Sequence, residues 1–444
     1  MIALAVMVCA APALADPAVP SAAPAAPAIN SGDTAWILIS AALVMLMTPG
    51  LAFFYGGLVR KKNVLSVLMQ CMMAICIVSV QWVLFGYSLS FGPDKWGGLI
   101  GGLEWMGLSG VGVAPQAPYV DTVPHSAFMI YQMMFAVITP ALIIGACAER
   151  MKFSAFCVFT LLWSTLVYDP LAHWVWGAGG FLGLNGGWGV LDFAGGTVVH
   201  ISAGMTALAA VIVMGKRQGY PSSISPPHSL PLGVLGAGLL WFGWFGFNAG
   251  SSLHADGVAA GAFVATHIAG AVAGLTWAAM DWVCYKKPTT LGMITGAVGG
   301  LASVTPAAGF ITPMGAIFIG VGAGILPWLA VTFLKNKLGY DDSLDAFGVH
   351  GLGGIWGTVA TGLVASAAAN PAVNRNGLFY GAGGAEQLIV QLKTVAIVIV
   401  WSFVMGLIIL KVVDLVIGLR VNEHEERVGL DLTQHREVGY TVID

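Results

Sequence analysis

His200 and His350 are the residues of this 444-residue chain best placed to do chemistry. Each imidazole is set in an apolar stretch, LDFAGGTVVHISAG and LDAFGVHGLGGIWG, in the fifth membrane-length segment of its half. Imidazole exchanges a proton near neutral pH. Ionisable groups at membrane depth are costly, so they face a pathway or a partner rather than lipid. A matched pair, one per half, points to a pathway where two related halves meet.

Other candidates lie close in sequence. Asp192 precedes His200 by eight residues, and two compatible roles suit it: stabilising a cation, or accepting backbone N–H bonds at a helix N-terminus. Asp345, five residues before His350, reads as a structural cap. Trp174 and Trp176 fit either an aromatic belt or a cation–π platform. Phe135 and Phe247 fall inside apolar spans, where a ring is core or gate. Ser251 follows Phe247 by one helical turn on the same face. Its hydroxyl can accept from a bound donor or serve as helix-packing glue. His267 has no counterpart in the other half and reads as packing.

The elements that position these residues are membrane helices. The chain is 57% hydrophobic and 9% charged, with a mean hydropathy of +0.85. A soluble surface needs roughly 25% charged residues. Sixty glycines suit close helix packing in lipid. This predicts an all-α polytopic membrane protein. With ~20 residues needed per crossing, eleven spans are predicted: 34–58, 64–90, 125–148, 153–172, 196–214, 231–252, 257–282, 290–310, 314–334, 346–366 and 386–417. Thr48-Pro49-Gly50 and Thr139-Pro140 mark kinks inside two of them. Ten spans divide into two five-helix repeats, which an odd number makes inverted. The eleventh is a C-terminal strap.

Charge gives the direction. Arg60, Lys61, Lys62, Arg150, Lys152, Lys216, Arg217, Lys286, Lys287, Lys335 and Lys337 occupy alternate connections. The others hold Lys95 and Arg375, so the positive-inside rule puts the N-terminus outside and the C-terminus in the cytoplasm. Residues 1–15 read as a signal peptide, with Ala13-Leu14-Ala15 as its cleavage site. A Pro/Ala-rich linker over 16–32, a membrane domain over 33–419 and a polar tail over 420–444 follow. A net charge of -3 gives no reason to expect a nucleic-acid partner. The six cysteines are scattered singly, so neither a metal site nor a disulfide framework is expected. No nucleophile–base pair, HExxH or cofactor motif points to an enzyme.

Four longer motifs go further. GWFGFNAGS at 243–251, LDFAGGTVVH at 191–200, AERMKFSA at 148–155 and DAFGVHG at 345–351 resemble the ammonium transporter family, Amt/Mep/Rh, in its bacterial Amt branch. The resemblance implies a homotrimer with one narrow pore per subunit, and the Gly/Ala-rich membrane architecture behind a cleaved signal suggests a bacterial inner membrane. By that resemblance Trp176, Phe135 and Ser251 form an outer site that recruits NH4+, and Asp192 shapes it without touching the ion. Phe135 and Phe247 close the pore mouth, and His200 and His350 are the twin histidines lining the pore. Tyr131 stands where many relatives carry Phe or Trp, which brings a hydroxyl to the vestibule. The tail GLRVNEHEERVGLDLTQH resembles a cytoplasmic end that presents a surface to a PII-type signalling protein.

The physics of selectivity fits such a pore. A dry constriction penalises every bare ion. NH4+ escapes that penalty by leaving its proton behind and crossing as NH3, whereas K+ has no such route. The histidine pair is expected to share a hydrogen bond and relay the released proton. Two other readings stay open on sequence: an electroneutral NH3 channel, and an ammonium sensor with little flux.

Overall fold

Backbone amides in lipid must be satisfied within their own segment, so spanning stretches of this composition become helices. The computed structural model describes residues 28–184, 186–222, 226–381 and 383–440. The signal-peptide expectation for 1–15 lies outside them, as does most of the linker. The first helix, α1 (Ser31–Leu58), begins inside the expected linker, because the Asn30 side chain caps its first turn. There follow α2 (Lys61–Phe91), α3 (His125–Cys147), α4 (Phe153–Trp176), α5 (Gly196–Met214), α6 (Leu230–Ser252), α7 (Gly257–Tyr285), α8 (Thr290–Val304) and α9 (Pro313–Leu338). The helix α10 runs as a π-helical turn, Phe347–Leu352, into Gly353–Val364, and α11 spans Gly384–Val416.

Nine helices among the described residues are long and apolar enough to cross a membrane. The other two expected spans coincide with α8 and α10, which are shorter. α8 was expected to reach residue 310 but ends at Val304, because Pro306 has no N–H to continue it. The Pro306 carbonyl instead accepts from the Phe193 backbone, on the loop that enters α5. α1 packs along α6 and α3, while α7, α8 and α9 form a mutually packed group. α11 lies against α4, α5 and α10, so it touches helices from both halves of the chain.

At the opposite end from Trp176 the tail folds back beneath the bundle in two short helices, α12 (Glu423–Val428) and α13 (Leu430–His435). The Asn63 side chain accepts from the Leu430 backbone at 2.8 Å, and Asp431 accepts from the Ser66 backbone at 2.8 Å. Glu426 accepts from the Gln218 backbone and pairs with Arg420, each at 2.7 Å. The described tail is therefore docked rather than free in solvent.

Candidate functional site

Each histidine enters its helix through the same short arrangement. The Asp192 carboxylate accepts from the backbone N–H groups of Gly195, Gly196 and Thr197 at 2.9, 2.7 and 2.8 Å, and from the Thr197 hydroxyl. Burial pushes this carboxyl above its usual range, while those donors pull the other way. With only donors around it, the ionised form is the one the geometry suits. In the second half the capping residue is Asp342, which accepts from Ala346 and Phe347 at 3.1 and 2.8 Å. Asp345 is therefore not the cap. Its backbone is left-handed, with φ 60°, and its carboxylate turns away to Lys335 at 2.7 Å. Gly195 holds the corresponding left-handed position in the first half, with φ 112°.

After the cap, both histidines sit in π-helical turns, Gly196–Ile201 and Phe347–Leu352. Such turns are rare and concentrate at functional positions. Glycines let the two turns touch. A Cβ on Gly204 would lie 2.2 Å from the Gly351 Cα, and one on Gly354 would lie 2.9 Å from the His200 Cβ. This approach of α5 to α10 brings the imidazole rings to 5.3 Å between centroids, nearly parallel at 11°. The expected hydrogen bond between them is not formed. Both nitrogens of His200 and Nδ1 of His350 are buried with no partner among the described residues.

The remaining candidates separate two cavities. One, of about 570 Å³, opens at the Trp176 end and is lined by Phe135, Trp176, Asp192 and Ser251. The second, of about 180 Å³, is lined by His200, His350, Trp244 and Phe247 and leads to Arg217 and Asp345 at the opposite end. Between them the rings of Phe135 and Phe247 stack at 4.1 Å and 24°. Trp176 meets Phe135 edge-on at 6.1 Å, and its Nε1 donates to the Asp192 carbonyl at 3.0 Å. Ser251 Oγ donates to the Phe247 carbonyl at 3.0 Å, which leaves its lone pairs to accept. Trp174, by contrast, faces α11 and takes no part in the cavity. His267 lies on the outside of α7 against Trp241.

Tyr131 does not reach the vestibule. It is fully buried, and its hydroxyl lies beside the Gly246 and Phe247 carbonyls, each at 2.9 Å, and Ser251 Oγ at 3.2 Å. From there it ties α3 to α6 behind the stacked rings. Two residues escaped the sequence reading. Asp342 had a signal, since it precedes His350 by the same eight residues that separate Asp192 from His200. Gln132, one turn before Phe135, lines the cavity at the Trp176 end with a buried Oε1 that has no partner among the described residues.

A helical membrane protein with an aromatic cavity at the Trp176 end, a closed ring pair and an unpartnered imidazole pair beneath belongs to the class that passes a small polar solute. Residues 35–440 match the model of the Ammonium Transporter Family. An ammonium transporter of Bacillus subtilis is 52% identical over 412 residues, covering 93% of this chain and 99% of that one. Ammonium transporter Amt1 of Archaeoglobus fulgidus is 48% identical over 93% of this chain and 100% of its own. Among solved structures, Mep2 of Saccharomyces cerevisiae superposes with a TM-score of 0.81 at 37% identity, covering 89% of each chain. A structure described as a sensor Amt protein gives 0.81 at 29%, covering 91% of this chain and 98% of that one. The chain belongs to the Amt/Mep/Rh ammonium transporter family.

Proposed function

We propose that this protein carries ammonium inward by separating the ion into NH3 and a proton at the boundary between its two cavities. The observation that carries the reading is the Phe135–Phe247 stack, with a cation-suited cavity above it and partnerless imidazole nitrogens below. In the outer cavity NH4+ lies against the Trp176 face, donates to Ser251 Oγ and gains from the ionised Asp192 nearby. The desolvated constriction excludes the bare ion. NH3 passes the rings and donates to or accepts from the imidazole nitrogens. As a ring swings aside, NH4+ at the boundary hands one N–H proton to the lone pair of an imidazole nitrogen and continues as NH3, and the pair releases another proton from its far side. Because the rings share no direct hydrogen bond, the relay requires a small rotation of one imidazole toward the other.

The same reading extends to the whole assembly. Asp192, Gly195, His200 and Gly204 stand 150 residues before Asp342, Asp345, His350 and Gly354. That constant offset supports two inverted five-helix repeats, with α8 and α10 completing eleven crossings and α11 as the strap. The exposed apolar faces of α7 and α9, including Leu275 and Phe318, suit a homotrimer. The docked tail gives a PII-type protein a folded surface at the cytoplasmic exit, in a bacterial inner membrane.

The deciding experiment is transient current in proteoliposomes after an ammonium pulse, with K+ as the control. Saturable ammonium current with none for K+, abolished in His200→Ala and His350→Ala, is the expected result. Unchanged current in either variant sinks the relay. Internal alkalinisation without current means a neutral NH3 channel, and neither signal means a sensor.

A further inference from the structure

Away from the pore, α11 carries a lysine that its surroundings do not explain. The helix has 33 residues, about 50 Å at 1.5 Å per residue, against a hydrocarbon core of about 30 Å. Each end therefore projects by about 10 Å, or about seven residues. Lys393 lies nine residues past Gly384, just within the apolar zone at the Trp176 end, and it is exposed. A charge there is costly unless its ammonium reaches a counter-charge at the membrane surface. Among the described residues no carboxylate pairs with it, since Glu386, two turns nearer the helix end, lies with Arg375 at 3.9 Å.

Below Lys393 the same face of α11 forms one wall of an apolar groove of about 470 Å³. Ile397, Val400, Trp401 and Val404 line it, and Trp174 closes its other side. These positions lie four, seven, eight and eleven residues beyond Lys393, which is one helical stripe. Aromatic rings connect the groove to the lysine. Trp401 meets Trp174 at 4.9 Å, Trp174 meets Phe181 at 5.1 Å, and Phe181 meets Trp188 at 5.9 Å. Lys393 Nζ then sits 5.9 Å over the Trp188 ring. Trp401 Nε1 is buried with no acceptor among the described residues.

We propose that this groove is a specific site for an anionic phospholipid, with its headgroup phosphate on Lys393 and an acyl chain between Trp174 and Trp401. The parts fall in the order a lipid needs: cation and interfacial Trp188 at the headgroup, then a groove of hydrocarbon that reaches the middle of α11. A second copy of the chain seated here would bury Lys393 without a counter-charge. Inorganic phosphate alone would leave the groove unused.

The test is native mass spectrometry of the full chain in detergent, titrated with phosphatidylglycerol and with phosphatidylcholine. We expect phosphatidylglycerol to bind several-fold tighter. One surface lysine contributes about a fivefold affinity for anionic lipid, so Lys393→Ala should lower phosphatidylglycerol binding about fivefold and leave phosphatidylcholine unchanged. Lys393→Arg should retain the preference, as should Lys287→Ala at the opposite end. Val404→Trp, which fills the groove, should weaken both lipids. Equal binding of the two lipids to the unaltered chain overturns the proposal. So does a preference that survives Lys393→Ala, or one that Lys287→Ala lowers as much. A change in subunit number with Val404→Trp also overturns it, because the groove is then a contact between copies.

Discussion

With centroids 4.1 Å apart, Phe135 and Phe247 are at van der Waals contact and admit nothing between them. Any solute that crosses must displace one ring, and neither is loosely held. Tyr131 packs against Phe135 at 5.0 Å while its hydroxyl holds the Phe247 carbonyl. Exclusion of bare ions is assigned to this contact, so Phe247→Ala should join the two cavities and let K+ current appear in proteoliposomes where the unaltered protein passes none. If K+ stays excluded in that variant, selection lies deeper, at the histidines. Ser251→Ala acts differently. It removes an acceptor from the outer cavity but leaves the rings, so the half-saturating ammonium concentration should rise several-fold with little change in maximal current. An unchanged half-saturation would take Ser251 out of the recruiting site.

The helix caps set where the imidazoles point, and they also mark how far the sequence could be read. The apolar spans, the Pro49 and Pro140 positions inside α1 and α3, and the pairing of His200 with His350 follow from periodicity, spacing and cost of charge in lipid. The cap of α10 did not follow from proximity to His350, because distance along the chain does not reveal a left-handed residue. At Asp345 the backbone reverses, which sends that carboxylate to Lys335 and leaves Asp342 to meet the helix amides. Tyr131 misled for a similar reason: sharing a helix face with Phe135 does not tell which neighbouring helix its hydroxyl meets. The two acids are separable by experiment. Asp342→Ala strips buried N–H groups of their acceptor and should cost about 2 kcal/mol in detergent unfolding, the upper range for a cap. Asp345→Ala breaks a partly exposed pair with Lys335 and should cost under about 1 kcal/mol. Equal losses would return the cap to Asp345.

At the scale of the molecule, charge decides which end faces which compartment, and it gathers at the end where the tail docks. There Glu149, buried and with φ 72°, receives Arg60 at 2.9 Å, Arg217 at 2.8 Å and the Asn63 amide at 3.1 Å. Burial pushes the Glu149 carboxyl up, but the two guanidinium groups outweigh it and hold the carboxyl below its ordinary value. A depressed folded value contributes stability above the unfolded value of about 4.3, and that contribution is lost as pH falls through the folded value. Glu149→Gln should thus cost about 1–2 kcal/mol near neutrality, by taking the carboxylate charge from Arg60 while Arg217 keeps Asp341 at 2.8 Å. The difference should shrink on acidification; a constant difference would deny Glu149 its ionic role. Arg60, Arg217 and the docked tail all lie at one end, and Trp176 with its cavity at the other. If the basic end is cytoplasmic, impermeant maleimide should label a Ser109→Cys variant in intact cells, with Cys76 and Cys284 replaced by serine. Lys287→Cys should then label only after permeabilisation. The reverse pattern would turn the molecule over, and the outer cavity would become an exit rather than the place where ammonium is recruited.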